Sequence, residues 1–128
     1  MSAFHRSVTA AALGAALLAA SCFSGRTRDV AGPDACSQVV DGTATVSIRD
    51  FDFQPRTLCV RRGTVVTWTN DETAQSGMPH TTTADGDAWD SGLLAPGQAF
   101  SRTFDQPGSF PYHCEPHPFM TGTIIVVG

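Results

Sequence analysis

The chain contains no lysine. Its eight strongly basic residues are all arginine, set against twelve acidic ones, and the formal net charge is -4. No basic stripe is available to neutralise phosphates, so nucleic acid is excluded as a natural partner. Long hydrophobic runs are missing too. The most apolar stretch, residues 8–20, falls short of the roughly 20 residues that a membrane-spanning helix needs. No long stretch carries helical periodicity, which removes helical bundles from consideration. Charged residues make up 16% and hydrophobic ones 41%, too little charge bias for a disordered chain. At 128 residues there is room for one compact domain of about 100 residues after processing.

The N-terminus reads as an export signal over residues 1–21, with Arg6 near its start, the apolar run, and the small residue Ser21. Ala19-Ala20-Ser21-Cys22 resembles a bacterial lipobox, with Ala19 in place of the usual Leu. On that reading Cys22 takes the lipid, and the protein sits on the extracytoplasmic face of a bacterial membrane, attached only by that anchor. The alternative is simple secretion, periplasmic or beyond, after cleavage nearby. Residues 22–42, interrupted by Gly25, Gly32, Pro33 and Gly42, suit a tether or lead-in, leaving 43–128 as the domain.

Cysteine is present only four times, as Cys22, Cys36, Cys59 and Cys114. With Cys22 lipidated and Cys114 on a metal, Cys36 and Cys59 remain as a disulfide pair suited to an exported chain, closing a loop that contributes roughly 3 kcal/mol. Two separate buried thiols are the other possibility.

The rest divides into short β-type runs separated by turn residues. Ala44, Val46 and Ile48 alternate with Thr45, Ser47 and Arg49, which predicts a strand at a sheet edge or outer layer. Runs follow over residues 51–60, 64–70, 81–83, 98–104, 109–114 and 121–127, split by Arg62-Gly63, Asp85-Gly86-Asp87 and Gln106-Pro107-Gly108. Seven or eight such strands predict an all-β, antiparallel Greek-key sandwich. Alternation puts Arg102 on the same side as Phe100 and Phe104, and no sequence pattern accounts for a charge there.

Chemistry concentrates near the C-terminus. Cys114, His117 and Met120 stand three residues apart on a segment stiffened by Pro116 and Pro118, and His80 follows Pro79 on a different strand pair. Taken singly, His80 reads as structural, Cys114 as a small buried hydrophobe and Met120 as core filler. Together they offer two imidazoles, one thiolate and one weak thioether, a set that suits copper in both oxidation states. Zinc seldom uses Met. Of the four histidines, His5 lies in the signal, and His113, next to Cys114 on a strand, faces the opposite way. The two that remain allow one copper ion per chain and are too few for a multi-copper oxidase centre. A Cys–His nucleophile lacks a third orienting group in any recognisable context, so no enzyme activity is expected.

The stretches Val66-Thr67-Trp68-Thr69-Asn70, Met78-Pro79-His80, residues 108–114 and Pro116-His117-Pro118-Phe119-Met120 resemble the cupredoxin family of blue, type 1 copper proteins. The two-residue gap between His117 and Met120 is similar to that of the amicyanins, whereas residues 89–97 look more like the plastocyanins. The resemblance implies a monomeric one-electron carrier that cycles between Cu(I) and Cu(II) and meets transient redox protein partners. It implies that Asn70 ties the His80 loop to the Cys114 loop. It also implies that electrons pass at His117 through an apolar patch of Met78, Pro79, Pro116, Pro118 and Phe119. Extracytoplasmic copper delivery or storage is the alternative; a total of three methionines counts against it.

Overall fold

β-branched and aromatic residues at alternate positions define eight strands, which the computed structural model describes within residues 36–128. The export signal, the early lead-in and Cys22 lie outside the described residues. The strands are β1 (Thr43–Arg49), β2 (Asp52–Gln54), β3 (Thr57–Arg61), β4 (Thr64–Asn70), β5 (Thr83–Ala84), β6 (Ala99–Phe104), β7 (Gly108–His113) and β8 (Thr121–Val127). They form two four-stranded sheets, ordered β2-β1-β4-β6 and β3-β8-β7-β5.

The sandwich is as expected, but it is not wholly antiparallel. β1 runs parallel to β4, and β3 runs parallel to β8. A period-two pattern says which face of a strand is buried and nothing about the direction of its neighbour. β1 also lies inside its sheet, between β2 and β4, instead of at the edge.

Where the sheets face each other they bury Val46, Ile48, Phe53, Val66, Trp68 and Phe104 against Leu58, Val60, Tyr112, Ile124 and Val126. Close approach fixes one glycine. The Tyr112 ring lies against Gly122 across the β7–β8 ladder, where any Cβ would overlap it. The burial that packs Tyr112 against Trp68 and Phe53 also pushes its phenol pKa well above the ordinary value.

The structure gives Arg102 its role. Its side chain turns inward beside Phe104, places the guanidinium 5.3 Å from the centroid of the Trp89 ring, and donates to the Ala88 carbonyl at 2.7 Å. It clips the β5–β6 connection to β6 through cation–π and hydrogen-bond contacts. The lead-in is fixed from Cys36 onward. Cys36 is disulfide-bonded to Cys59, and Val40 bridges to Val60, its N–H donating to the Cys59 carbonyl at 2.9 Å.

Candidate metal centre

Three chain segments converge at one end of the sandwich. His80 lies between β4 and β5, in a stretch whose backbone exchanges two hydrogen bonds with Leu94: His80 N–H to Leu94 O at 3.1 Å and Leu94 N–H to His80 O at 2.7 Å. Cys114 directly follows β7. The segment leading to β8 is wound tight by three backbone bonds, from Cys114 N–H to Met120 O (3.1 Å), His117 N–H to Cys114 O (3.1 Å) and Met120 N–H to His117 O (2.8 Å). Two prolines in this short turn leave few alternatives for its backbone.

The thiol of Cys114 is free and fully buried. Its Sγ lies 3.6 Å from His80 Nδ1 and 3.7 Å from His117 Nδ1. These three atoms form a group able to hold a metal ion. The separations fit a shared ion, because two donors each about 2.0–2.3 Å from one ion stand roughly 3.5–4 Å apart at trigonal to tetrahedral angles. Met120 is 1% exposed and closes the same turn, and His80 is fully buried, so two imidazoles and a thiol in a mostly dry setting fit copper. His117 is half-buried and is the imidazole that reaches the surface.

Partners beyond the donors set their orientation. The second nitrogen of His80, Nε2, lies 3.3 Å from Glu72 Oε1, and the Glu72 side chain is only 8% exposed. With Nδ1 turned toward the sulfur, Nε2 is the nitrogen that faces that carboxylate, which fixes the orientation of the ring. Burial holds the His80 pKa below its ordinary value, with Glu72 pulling the other way. A neutral imidazole is the form that binds metals, so this shift favours ligation. The Thr81 N–H approaches Cys114 Sγ at 3.4 Å, and its hydroxyl accepts the Glu115 N–H at 2.8 Å.

Asn70 is buried at the end of β4 and donates through Nδ2 to the carbonyls of Met78 (2.9 Å) and Leu94 (2.8 Å). It therefore ties the His80 loop to the Leu94 segment. The link between the His80 and Cys114 loops is made by Thr81, the next residue after His80. In the sequence Thr81 belongs to an ordinary run over residues 81–83, and its place next to His80 is the one signal it carries. Nothing in the sequence marks Glu72 or Phe51. The Phe51 ring stands edge-on to both imidazoles, with centroids 5.5 Å from His80 and 5.1 Å from His117, and no spacing rule joins residue 51 to residue 117.

Met78 is 39% and Phe119 69% exposed, Pro116 and Pro118 are exposed, and Pro79 is half-buried. His113 faces away from the site, its Nδ1 2.6 Å from Asp85 Oδ1; this hydrogen bond, with help from Glu115, raises its pKa.

Residues 40–127 match the copper binding proteins of the plastocyanin/azurin family. The chain belongs to that family: it is a cupredoxin, a carrier of single electrons with one type 1 copper ion and no enzyme activity of its own. Within the family it is similar to the amicyanin of Paracoccus denitrificans, at 35% identity over 120 residues that cover 89% of this chain and 92% of that protein. It is also similar to the chloroplastic plastocyanin of Tetradesmus obliquus, at 37% identity over 87 residues, 58% of this chain and 57% of the relative. A solved amicyanin variant in the Cu(I) state superposes with a TM-score of 0.61 at 34% identity, covering 67% of this chain and 83% of its own.

Proposed function

We propose that His80, Cys114 and His117 would hold the copper ion, with Met120 as a weaker fourth donor, and that electrons enter and leave at the His117 edge. Bound there, copper supplies one-electron chemistry between its two common oxidation states. The chain supplies constancy. The observation that carries this reading is the burial of His80, Cys114 and Met120 beneath backbones already fixed by hydrogen bonds to Leu94 and within the 114–120 turn. Donors that cannot move keep one arrangement in both oxidation states, and buried donors do not hand an ion on. Both properties favour a carrier over a delivery or storage protein.

Around His117, the exposed Met78, Pro116, Pro118 and Phe119, with Pro79, make a small apolar patch. Such a patch suits brief contact with a redox partner protein, because small interfaces release quickly. A monomer meets this need. The Cys36–Cys59 disulfide accords with an oxidising compartment, and so with residues 1–21 as an export signal, 22–42 as a lead-in to the domain and Cys22 as a lipid anchor.

The test is repeated one-electron cycling of the copper-loaded protein beside a copper(I) chelator. A carrier retains one ion per chain through every cycle; loss of the ion to the chelator on reduction would move delivery into first place.

A further inference from the structure

Phe51 is neither a core residue nor an ordinary surface one. It and Asp50 both adopt left-handed backbone conformations, with φ of 56° and 55°. That region is uncommon for any side chain and an outlier for a bulky one, so something must hold the turn there. Glu72 does so. The Phe51 N–H donates to Glu72 Oε1 at 3.2 Å, the same oxygen that lies 3.3 Å from His80 Nε2. The corner carrying Glu72 is anchored to β1 in turn, with Asp71 N–H on the Ile48 carbonyl (2.9 Å) and the Ser47 hydroxyl on Asp71 Oδ2 (2.6 Å).

The consequence is a ring placed at right angles to both imidazoles, at 89° to His80 and 90° to His117, and 6.4 Å from the Phe119 ring. Phe51 is 38% exposed, so it stands between these imidazoles and solvent. Taking the ligand set proposed above as its basis, we infer that Phe51 is a positioning residue of the copper centre. Held by the Glu72 carboxylate, it shuts water out from the outer edges of His80 and His117 and so favours the reduced state. The reason is charge. With the Cys114 thiolate as a ligand the oxidised centre carries one more positive charge than the reduced one, and excluding water penalises the more highly charged state.

The experiment compares reduction potentials of the copper-loaded wild type with Phe51→Ala, Phe51→Gln and Phe51→Leu. Alanine opens the site, glutamine keeps the bulk but brings polarity and water, and leucine restores an apolar cover. Alanine and glutamine are expected to shift the oxidised-to-reduced equilibrium about tenfold toward the oxidised form, a drop of about 59 mV for one electron, with leucine recovering at least half of it. If alanine prevents folding, the glutamine–leucine difference carries the same expectation. Wild-type potentials in all the folded variants, each with full copper and unchanged visible absorption, would show Phe51 to be surface filler. An equal drop for leucine and glutamine would overturn the water-exclusion argument. Failure of the wild type to take up copper at all would instead refute the ligand set, a separate result.

Discussion

At the scale of single residues, the proposed site divides into candidate donors marked by chemistry and partners placed by geometry. Cys114, His117, Met120 and His80 stand out in the sequence because thiolate, imidazole and thioether at those spacings form an unusual set, and the structure brings His80, Cys114 and His117 together. Their supports could not be. Glu72 is a turn acid by any local rule, and Phe51 becomes relevant only once two sheets have brought residues 51, 72, 80 and 117 together. Thr81 serves two loops through one side chain and one backbone N–H. Its replacement by Val keeps the N–H directed at the sulfur and strands the Glu115 N–H. Thr81→Val is expected to cost about 1–2 kcal/mol, measured by chemical denaturation, while the copper-loaded protein stays coloured. Full loss of colour would mean that the hydroxyl is needed to keep the sulfur in place.

At the scale of elements, alternation revealed where the strands are and which face of each is buried, down to Arg102 sharing a side with Phe104. It did not reveal strand direction. The parallel β1–β4 and β3–β8 pairs arise because the chain crosses to the other sheet and back before each second partner is added, a property of topology that no single strand carries. Residues 36–42 read as a lead-in from their polarity; the Cys36–Cys59 bond and the Val40 bridge fasten them to β3. Gly122 illustrates the same limit, since a glycine within a predicted strand reads as a weakness until the Tyr112 ring is found lying over it. Gly122→Ala forces that ring out of a packed core. The expected cost is about 1–3 kcal/mol, read as a lowered thermal midpoint; an unchanged midpoint would show that β7 and β8 have room to spread.

At the scale of the whole molecule, the proposed function follows from an asymmetry. His80, Cys114 and Met120 are buried, and one imidazole, His117, meets the surface among exposed Met78, Pro116, Pro118 and Phe119. If that edge is the electron port, a charge placed on it acts on every encounter between two copies of the protein. Phe119→Glu is expected to slow electron self-exchange by at least about tenfold, with the effect shrinking as salt is added. A rate equal to the wild type would move the port elsewhere.

The central claim, a thiolate-bound copper ion at Cys114, is tested most directly by visible absorption of the oxidised, copper-loaded protein beside Cys114→Ser. An intense visible thiolate-to-copper(II) band that vanishes in the serine variant is the predicted result. Full copper loading without that band, or a band that survives in Cys114→Ser, would contradict the account.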